Sequence, residues 1–169
     1  MRETSEDLAE LQALLDRSYE GAGPHLLSII TPDRRPAAEQ LVSRLTGMTL
    51  LALATVSSDG RPFVGPVDGI FFRGAFHFSS SPESVRLRHI AERPFVSATH
   101  LPGEEFAVTV HGRAVVLDMH APQNLELRAT LLDIYGPRYG NDWEDFLDSG
   151  PVYARIDAEK MFAFVYSEP

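Results

Sequence analysis

The sequence predicts a mainly β domain of the α+β class, with about six strands in a small closed or partly closed barrel preceded by helices. Apolar strand-like segments after residue 50 are separated by turn signals roughly every 8 to 12 residues. Before them, within residues 1–47, apolar residues recur at helical spacing. The 169 residues, 44% of them hydrophobic, suffice for one core. We expect one domain over residues 1–169, with a helical extension at 1–47 and the barrel at 48–167.

The helices of the predicted extension carry apolar residues on one face. From Thr4 to Tyr19 four leucines recur at helical spacing, Thr4 suits an N-cap, and a Gly-Ala-Gly-Pro sequence follows. A second short helix is predicted between Pro36 and Gly47. Neither helix carries a catalytic or ligand-binding motif, so we interpret both as packing elements.

The remaining chain alternates between strands and shorter helices. Gly60 in the Ser-Asp-Gly turn predicts a tight hairpin, because glycine adopts positive φ without strain. We expect the last strand to be interrupted near Asp157 and Ala158. The predicted strands cover residues 50–57, 61–72, 75–80, 95–100, 106–117 and 152–166, and helices are predicted at 82–93, 122–135 and 142–148.

The second predicted strand contains two prolines and two glycines. Proline donates no hydrogen bond to a ladder and glycine weakens one, so this strand should be edge-like or bulged. One interpretation is that its main chain, over Pro66–Gly69, approaches the edge of a flat heterocycle. The other is an ordinary bulge on an edge strand, and the residues alone leave both open.

A second candidate site spans Ser79–His89, where a strand ending in hydroxyl groups leads at once into a helix. Helix N-termini attract phosphate, and serine hydroxyls with the guanidinium groups of Arg86 and Arg88 would add donors. The alternative is a serine-rich helix cap with arginines on a solvated face, which is a common arrangement. Taken alone, the segment slightly favours the cap.

Several motifs in order resemble the pyridoxamine 5′-phosphate oxidase-like flavin-binding proteins. Leu53–Pro62 looks like the first hairpin of that family, and the resemblance extends over roughly residues 50–165. It implies a six-stranded split β-barrel of the FMN-binding type. The other matching segments, at the family's spacing, are Pro66–Asp68, Phe76–Ser80, Ser84–Ile90, Arg93–Pro94, Val110–Ala114 and Val152–Phe164.

The resemblance also implies a homodimer with one flavin at each end of the interface. The ring would lie along the second strand and the end of the third, and Arg86 stands where the family usually has a phosphate-binding lysine. His89 follows this helix start and is a further candidate. The implied cofactor-binding residues are Pro66, Val67, Asp68, Gly69, Ser79, Ser80, Ser81, Ser84, Arg86, Arg88 and His89.

Departures from the family pattern argue against oxidation of vitamin B6 as the activity. Gly65 stands where the oxidase has a phosphate-binding arginine, Val85 replaces one of a basic pair, and Ala107 replaces a glutamine. The oxidase's C-terminal substrate residues are also missing. These differences leave open a deazaflavin coenzyme (coenzyme F-420), haem or no cofactor in place of FMN.

Composition restricts the remaining function classes. A formal net charge of −9 argues against non-specific nucleic-acid binding, and the absence of cysteine removes thiolate chemistry and suits a cytoplasmic protein. We expect neither a transmembrane segment nor a signal peptide. The six histidines lack metal-binding spacing, so no metal site is expected.

The sequence therefore predicts an FMN-binding protein, most simply a flavin-dependent oxidoreductase of unknown substrate. The first alternative is a deazaflavin (coenzyme F-420)-dependent reductase on the same fold. The second is a non-catalytic flavin- or haem-binding or sensor protein. Ser80 or Ser81 is the candidate group for tuning the ring by hydrogen bonding.

Overall fold

In the part of the chain that the structure describes, six antiparallel strands close into a barrel in the order β1-β2-β3-β6-β5-β4, with six α-helices around it. The computed structural model describes residues 2–140 and 142–166. The predicted α+β split-barrel fold is confirmed. Residue 167, to which the predicted barrel extends, lies outside the described residues.

The helices and strands follow one another with short connections. The helices are α1 (Ser5–Glu20), α2 (Pro24–Ile29), α3 (Ala38–Arg44), α4 (Val85–Glu92), α5 (Leu125–Tyr139) and α6 (Trp143–Ser149). The strands are β1 (Met48–Val56), β2 (Pro62–Phe72), β3 (Ala75–Ser80), β4 (Phe95–Gly103), β5 (Phe106–Leu117) and β6 (Val152–Val165).

Two helices differ from the sequence-based prediction. α2 was not predicted, because Pro24 marks the end of the preceding helix in the sequence but occupies the first turn of a new one. α5 continues to Tyr139 instead of ending at Tyr135, since Pro137 is accommodated inside its last turn. None of the helices in the described part of the chain is long and apolar enough to cross a membrane.

The strand β2 is edge-like, as predicted, but it is not bulged. Its register with β1 is continuous from Val56 opposite Pro62 to Met48 opposite Ile70, so of the two predicted alternatives the edge-like stretch is the one observed. Its prolines are tolerated because their nitrogens need no partner on the unpaired side of an edge. The predicted interruption of β6 is a one-residue bulge at Glu159, where β5 pairs first with Lys160 and then with Ala158.

The alternation of strand side chains creates one core inside the barrel and another on its outer surface. Leu51 and Leu53 of β1 point inward and are almost fully buried, as are Phe76 and Phe78 of β3. The second core joins the outer face of the sheet to α5 and α6. Its members are Ile70, Phe72, Met119, Leu127, Leu131, Tyr135, Leu147 and Tyr153.

The helix α1 covers the part of β6 that extends beyond the short strand β3. The Tyr19 hydroxyl donates to the Ala163 carbonyl oxygen at 2.7 Å and accepts from the Ala163 amide at 3.0 Å. The Ser18 hydroxyl accepts from the Met161 amide at 3.0 Å. Two side chains of α1 therefore satisfy backbone groups that a neighbouring strand would otherwise satisfy.

We predict that Tyr19→Phe lowers the free energy of unfolding by about 1–3 kcal/mol, because it leaves the buried Ala163 amide and carbonyl without partners. Denaturant unfolding measures the change. Tyr166→Phe is the matched control, since Tyr166 is 42% exposed, and it should change stability by less than about 0.5 kcal/mol. Equal stability of Tyr19→Phe and the parent would contradict this role of the hydroxyl.

His77 of β3 is buried in its neutral form. Its Nδ1–H donates to the Ala75 carbonyl oxygen at 3.1 Å, and its ring meets the edge of Phe72 at 5.8 Å. Burial lowers the pKa of His77 from 6.5 to about 4. The unfolded chain therefore binds a proton that the folded protein excludes between these two pH values.

We predict that His77 contributes stability that is fully present above pH 6.5 and is lost as the pH falls toward about 4, amounting to up to about 3 kcal/mol. His77→Asn keeps a donor for Ala75 but does not titrate. Its unfolding free energy, measured against pH, should fall less steeply across this window than that of the parent. Parallel curves would show that His77 is not the titrating group.

Candidate functional site

The candidate site begins at the edge of β2 that faces away from β1. Among the described residues, β3 pairs with β2 only from Gly69 to Phe72, whereas β1 pairs with the strand over its whole length. The stretch Pro62–Asp68 therefore keeps backbone groups free on one side. Such groups can bind the edge of a polar ring in the way that a neighbouring strand would.

Arg86 of α4 reaches across to this edge. Its Nη2 donates to the Pro66 carbonyl oxygen at 3.1 Å, and its Nη1 donates to the Ser80 hydroxyl at 3.0 Å. Ser80 in turn donates to the Ser84 hydroxyl at 3.0 Å. Burial lowers the pKa of Arg86, but a guanidinium keeps its charge at any physiological pH. The group composed of Pro66, Ser80, Ser84 and Arg86 is called the arginine cluster below.

The absence of a side chain at Gly65 gives Arg86 its space. A Cβ built on Gly65 would lie 3.0 Å from Arg86 Nη2, which is closer than ordinary packing allows. The space beside the Gly65 backbone is therefore occupied by a guanidinium that comes from α4, and a Cβ at residue 65 would require Arg86 Nη2 to shift by a few tenths of an ångström.

The helix α4 begins directly at the arginine cluster. Ser84 is its N-cap, and the Ser84 hydroxyl accepts from the Leu87 amide at 3.3 Å. Ser81 lies just outside, is exposed and donates to Glu83 at 3.0 Å. Arg88 is also exposed and, two residues from Arg86, lies on a different face of the helix. The segment is therefore a serine cap that also carries a partly buried cation, and its interpretation as a phosphate site stays a prediction.

His89 points back toward β1 and β2. Its Nδ1 is 3.0 Å from the Thr55 hydroxyl, and its ring meets the edge of the Phe63 ring at 5.1 Å. A cavity of about 190 Å³ lies above them. It is lined by Leu53, Thr55, Phe63, Val64, Gly65, Ser84, Val85 and Arg86.

The other residues implied by the resemblance lie outside this cluster. Val67 is buried inside the barrel, so only its main chain is accessible. Gly69 is required by packing, because a Cβ there would be 2.8 Å from the His77 carbonyl oxygen and 2.9 Å from the Leu51 side chain. Asp68 and Ser79 face outward, toward α5 and α6. Burial raises the pKa of Tyr153 to about 12, and the adjacent Ser79 hydroxyl acts in the opposite direction.

The sequence did not single out the apolar neighbours of the site. On the outer face of β1, β2 and β4, a second cavity of about 420 Å³ shares Gly65 and Pro66 with the site. Large apolar side chains surround it on the surface, and Val64 is 69% exposed. Side chains alternate between the two faces of a strand, so the neighbours of the inward-facing core residues of β1 and β2 could have been predicted to face outward. The apolar surface consists of Leu50, Val64, Pro66 and Leu101.

A family model described as pyridoxamine 5′-phosphate oxidase matches residues 37–151. The chain belongs to this family. No curated protein is significantly similar to it. The matched range includes α4, β1 to β5 and the arginine cluster, whereas α1 and the whole of β6 lie outside it.

Solved structures share the fold at low sequence identity. The conserved hypothetical protein Rv2991 from Mycobacterium tuberculosis has a TM-score of 0.64 and 17% identity, over 79% of this chain and 88% of that one. The haem storage protein HutZ from Vibrio cholerae has a TM-score of 0.58 and 20% identity, over 75% and 90%. An FAD-binding protein from Mesorhizobium loti has a TM-score of 0.53 and 21% identity, over 71% and 86%.

These similarities show the split-barrel fold and no more. None of the three structures is described as a pyridoxamine oxidase; HutZ is described as a haem storage protein and the Mesorhizobium loti protein as FAD-binding. Among residues 2–140 and 142–166, no three histidine or carboxylate side chains come together as metal ligands.

Proposed function

We propose that this protein binds FMN at the free edge of β2 and acts as a flavin-dependent oxidoreductase in the cytoplasm. The observation that carries the proposal is a strand edge with unpaired backbone groups that ends at a partly buried guanidinium. A flavin mononucleotide has the matching chemistry, with a flat ring that hydrogen-bonds along one edge and a phosphate at the end of its side chain. The absence of cysteine suits a reducing compartment.

The residues present fit this group. Arg86 uses two of its five N–H donors within the protein, so the others remain for phosphate oxygens. Ser84 accepts from the Leu87 amide and from Ser80, which leaves its own hydroxyl proton to donate. The missing Cβ at Gly65 leaves room beside the guanidinium. We assign the phosphate end to Arg86 and Ser84, with Ser81, Arg88 and His89 at its margin.

The ring end is assigned to the main chain from Pro66 to Gly69 and to Ser79 and Ser80. Bound FMN supplies the electron transfer, so the chain itself needs no dedicated acid or base. The Pro66 carbonyl accepts a hydrogen bond from any N–H at the ring edge, and Ser80 is placed to tune the ring by its hydroxyl. Both groups bind Arg86 in the structure, so cofactor binding and the position of Arg86 are coupled.

A homodimer is the second part of the proposal. The apolar surface formed by Leu50, Val64, Pro66 and Leu101 adjoins the site, and exposed apolar patches of this kind mark protein interfaces. A second copy covering this surface would also bring new residues to the free edge of β2. Site and interface would then form together.

Titration of the purified protein with FMN, coenzyme F-420 and haem tests the function. FMN binding with reduction by NADH or NADPH supports the flavin-dependent oxidoreductase. Binding and reduction of the deazaflavin alone would favour the reductase alternative, and tight flavin or haem binding without reduction would favour a storage or sensor protein. Binding of none of the three would refute all of these functions.

We predict that Arg86→Ala weakens FMN binding by about 10- to 100-fold, because a charge-assisted contact to phosphate is lost. Arg86→Lys should retain part of the affinity as a point charge. Riboflavin, which lacks the phosphate, should lose much less affinity than FMN in both variants, because only the contacts that Arg86 makes with the ring-binding groups Pro66 and Ser80 change for it. Arg17→Ala, an exposed arginine on α1, is the control and should bind FMN normally. Unchanged FMN affinity in Arg86→Ala would place the phosphate elsewhere.

We predict that Val64→Asp converts the dimer to a monomer, since it buries a charge at the centre of the apolar surface. Sedimentation velocity measures the change. Leu125→Asp is the matched control, because Leu125 of α5 is 54% exposed outside this surface, and it should remain dimeric. A monomeric parent protein, or a dimer that survives Val64→Asp, would contradict the proposed interface.

A further inference from the structure

The cavity of about 190 Å³ beside the arginine cluster extends along β2, away from the proposed ring-binding stretch. It reaches back to Phe63, which lies three residues, or about 10 Å, before Pro66 along the strand. Arg86 lines this cavity and also donates to the Pro66 carbonyl oxygen. A phosphate bound by Arg86 would therefore lie between the ring-binding stretch and this cavity, which is called the distal cavity below.

Two departures from the family pattern line the distal cavity. Gly65 and Val85 stand where the family resemblance implies basic residues, and both line the cavity together with Arg86. Among the described residues, Arg86 is the only cation in this lining, and no carboxylate lines it. A phosphate monoester carries about −1.5 to −2 charges at pH 7, whereas a phosphate in a diester carries about one. A single guanidinium therefore matches a diester better than a monoester.

Large apolar side chains from two elements surround the distal cavity. Phe63 and Val64 of β2 are 47% and 69% exposed, and Val85 of α4 is 44% exposed. The His89 ring meets the Phe63 ring at 5.1 Å with an angle of 65° between their planes, and the Thr55 hydroxyl lies 3.0 Å from His89 Nδ1. These contacts restrict the Phe63 ring. Apolar side chains grouped around a cavity favour an aromatic or apolar part of a ligand.

The main chain of β2 adds polar groups to this apolar wall. Backbone groups alternate sides along a strand, so the N–H and C=O of Val64 face the same side as the Pro66 carbonyl. The pairing of β3 with β2 begins only at Gly69, so no β3 residue pairs with Val64. An aromatic ring, apolar side chains and a main-chain donor and acceptor together suit a flat heterocycle such as a nucleobase.

The size of the distal cavity suits one part of a larger ligand. Its volume of about 190 Å³ is below the range of about 300–1,000 Å³ that is usual for pockets holding a whole ligand. The proposed dimer does not account for it, because Phe63 and Val85 lie outside the apolar surface. A second copy that covers Val64 would leave these two exposed side chains unexplained.

We propose that the distal cavity binds a nucleobase joined to the flavin through its esterified phosphate, so that the site binds FAD more tightly than FMN. Arg86 then pairs with the flavin phosphate, and the base stacks on Phe63. The inference rests on the proposed flavin function, because the ring and the first phosphate keep the positions assigned above. It adds a second subsite and names the form of the cofactor that fills both.

Equilibrium titrations with FMN, riboflavin 4′,5′-cyclic phosphate and FAD test the inference. FMN is a phosphate monoester, the cyclic phosphate is a diester with nothing beyond it, and FAD is a diester that carries adenine. We expect FAD to bind about 10-fold more tightly than FMN, since one base stacked on an aromatic side chain contributes a factor of this size. FAD should also bind more tightly than the cyclic phosphate, which cannot reach the distal cavity.

Phe63→Ala should lower FAD affinity about 10-fold and FMN affinity by less than about twofold. The ratio of the two affinities is the readout, because a general loss of structure would lower both. Val85→Arg supplies a second cation and fills the cavity, so it should reverse the preference in favour of FMN. Leu125→Arg is the matched control and should keep the preference, because Leu125 is the exposed first residue of α5 as Val85 is of α4.

Equal affinity for FAD and FMN, or for FAD and the cyclic phosphate, would overturn the inference and leave the flavin function standing. An FAD preference that survives both Phe63→Ala and Val85→Arg would do the same. If Phe63→Ala lowers the dimer fraction in sedimentation and leaves the ratio of affinities unchanged, the cavity belongs to the interface with a second copy. Binding of no flavin would refute the proposed function, and the inference with it.

Discussion

The short strand β3 is the constraint on which the rest of this structure depends. It bridges β2 and β6 over only a few residues, so both long strands continue past it with unpaired backbone groups. Unpaired buried amides and carbonyls are costly and must find other partners. On β6 these partners are the Ser18 and Tyr19 hydroxyls of α1. On β2 the Arg86 guanidinium binds one carbonyl, and the rest of the edge stays available. The split in the barrel thus creates the proposed binding edge.

Much of this fold was predictable because the signals are local. Strand boundaries follow from alternation and from turn glycines such as Gly60, which has a φ of 82°. The helix α2 was missed because six residues are too few for a periodic pattern and its first-turn Pro24 resembles a stop. The sequence-based prediction ends α5 at Tyr135 for a similar reason, because Pro137 resembles a stop. A proline restricts the backbone locally, and the residues around it do not determine whether a helix ends before it or begins at it.

The site was predictable only in part, because its decisive contacts join residues far apart in the chain. The family resemblance indicates Arg86. Its hydrogen bond to the Pro66 carbonyl joins α4 to the free edge of β2, and no local sequence pattern predicts such a contact. Alternation along β3 would have separated Ser80, which joins the arginine cluster, from Ser79, which faces α5 and α6. The packing of Trp143 against Tyr135 and Tyr139 could not be predicted from the sequence, since it depends on how α6 folds back onto α5.

In the proposed site the cation beside the strand edge comes from Arg86 of α4, because residue 65 of β2 is a glycine. This origin affects how the site would discriminate among cofactors. A guanidinium on the strand would point directly at a phosphate, whereas Arg86 arrives from α4 and is first held by Pro66 and Ser80. Fewer of its donors then remain for the cofactor tail, and a contact that competes with internal partners contributes less affinity than a free one. In the proposed site, the main-chain edge of β2 would therefore supply a larger share of the binding free energy. Because a flavin and a deazaflavin present nearly the same ring edge, discrimination between them would depend on the region around Arg86.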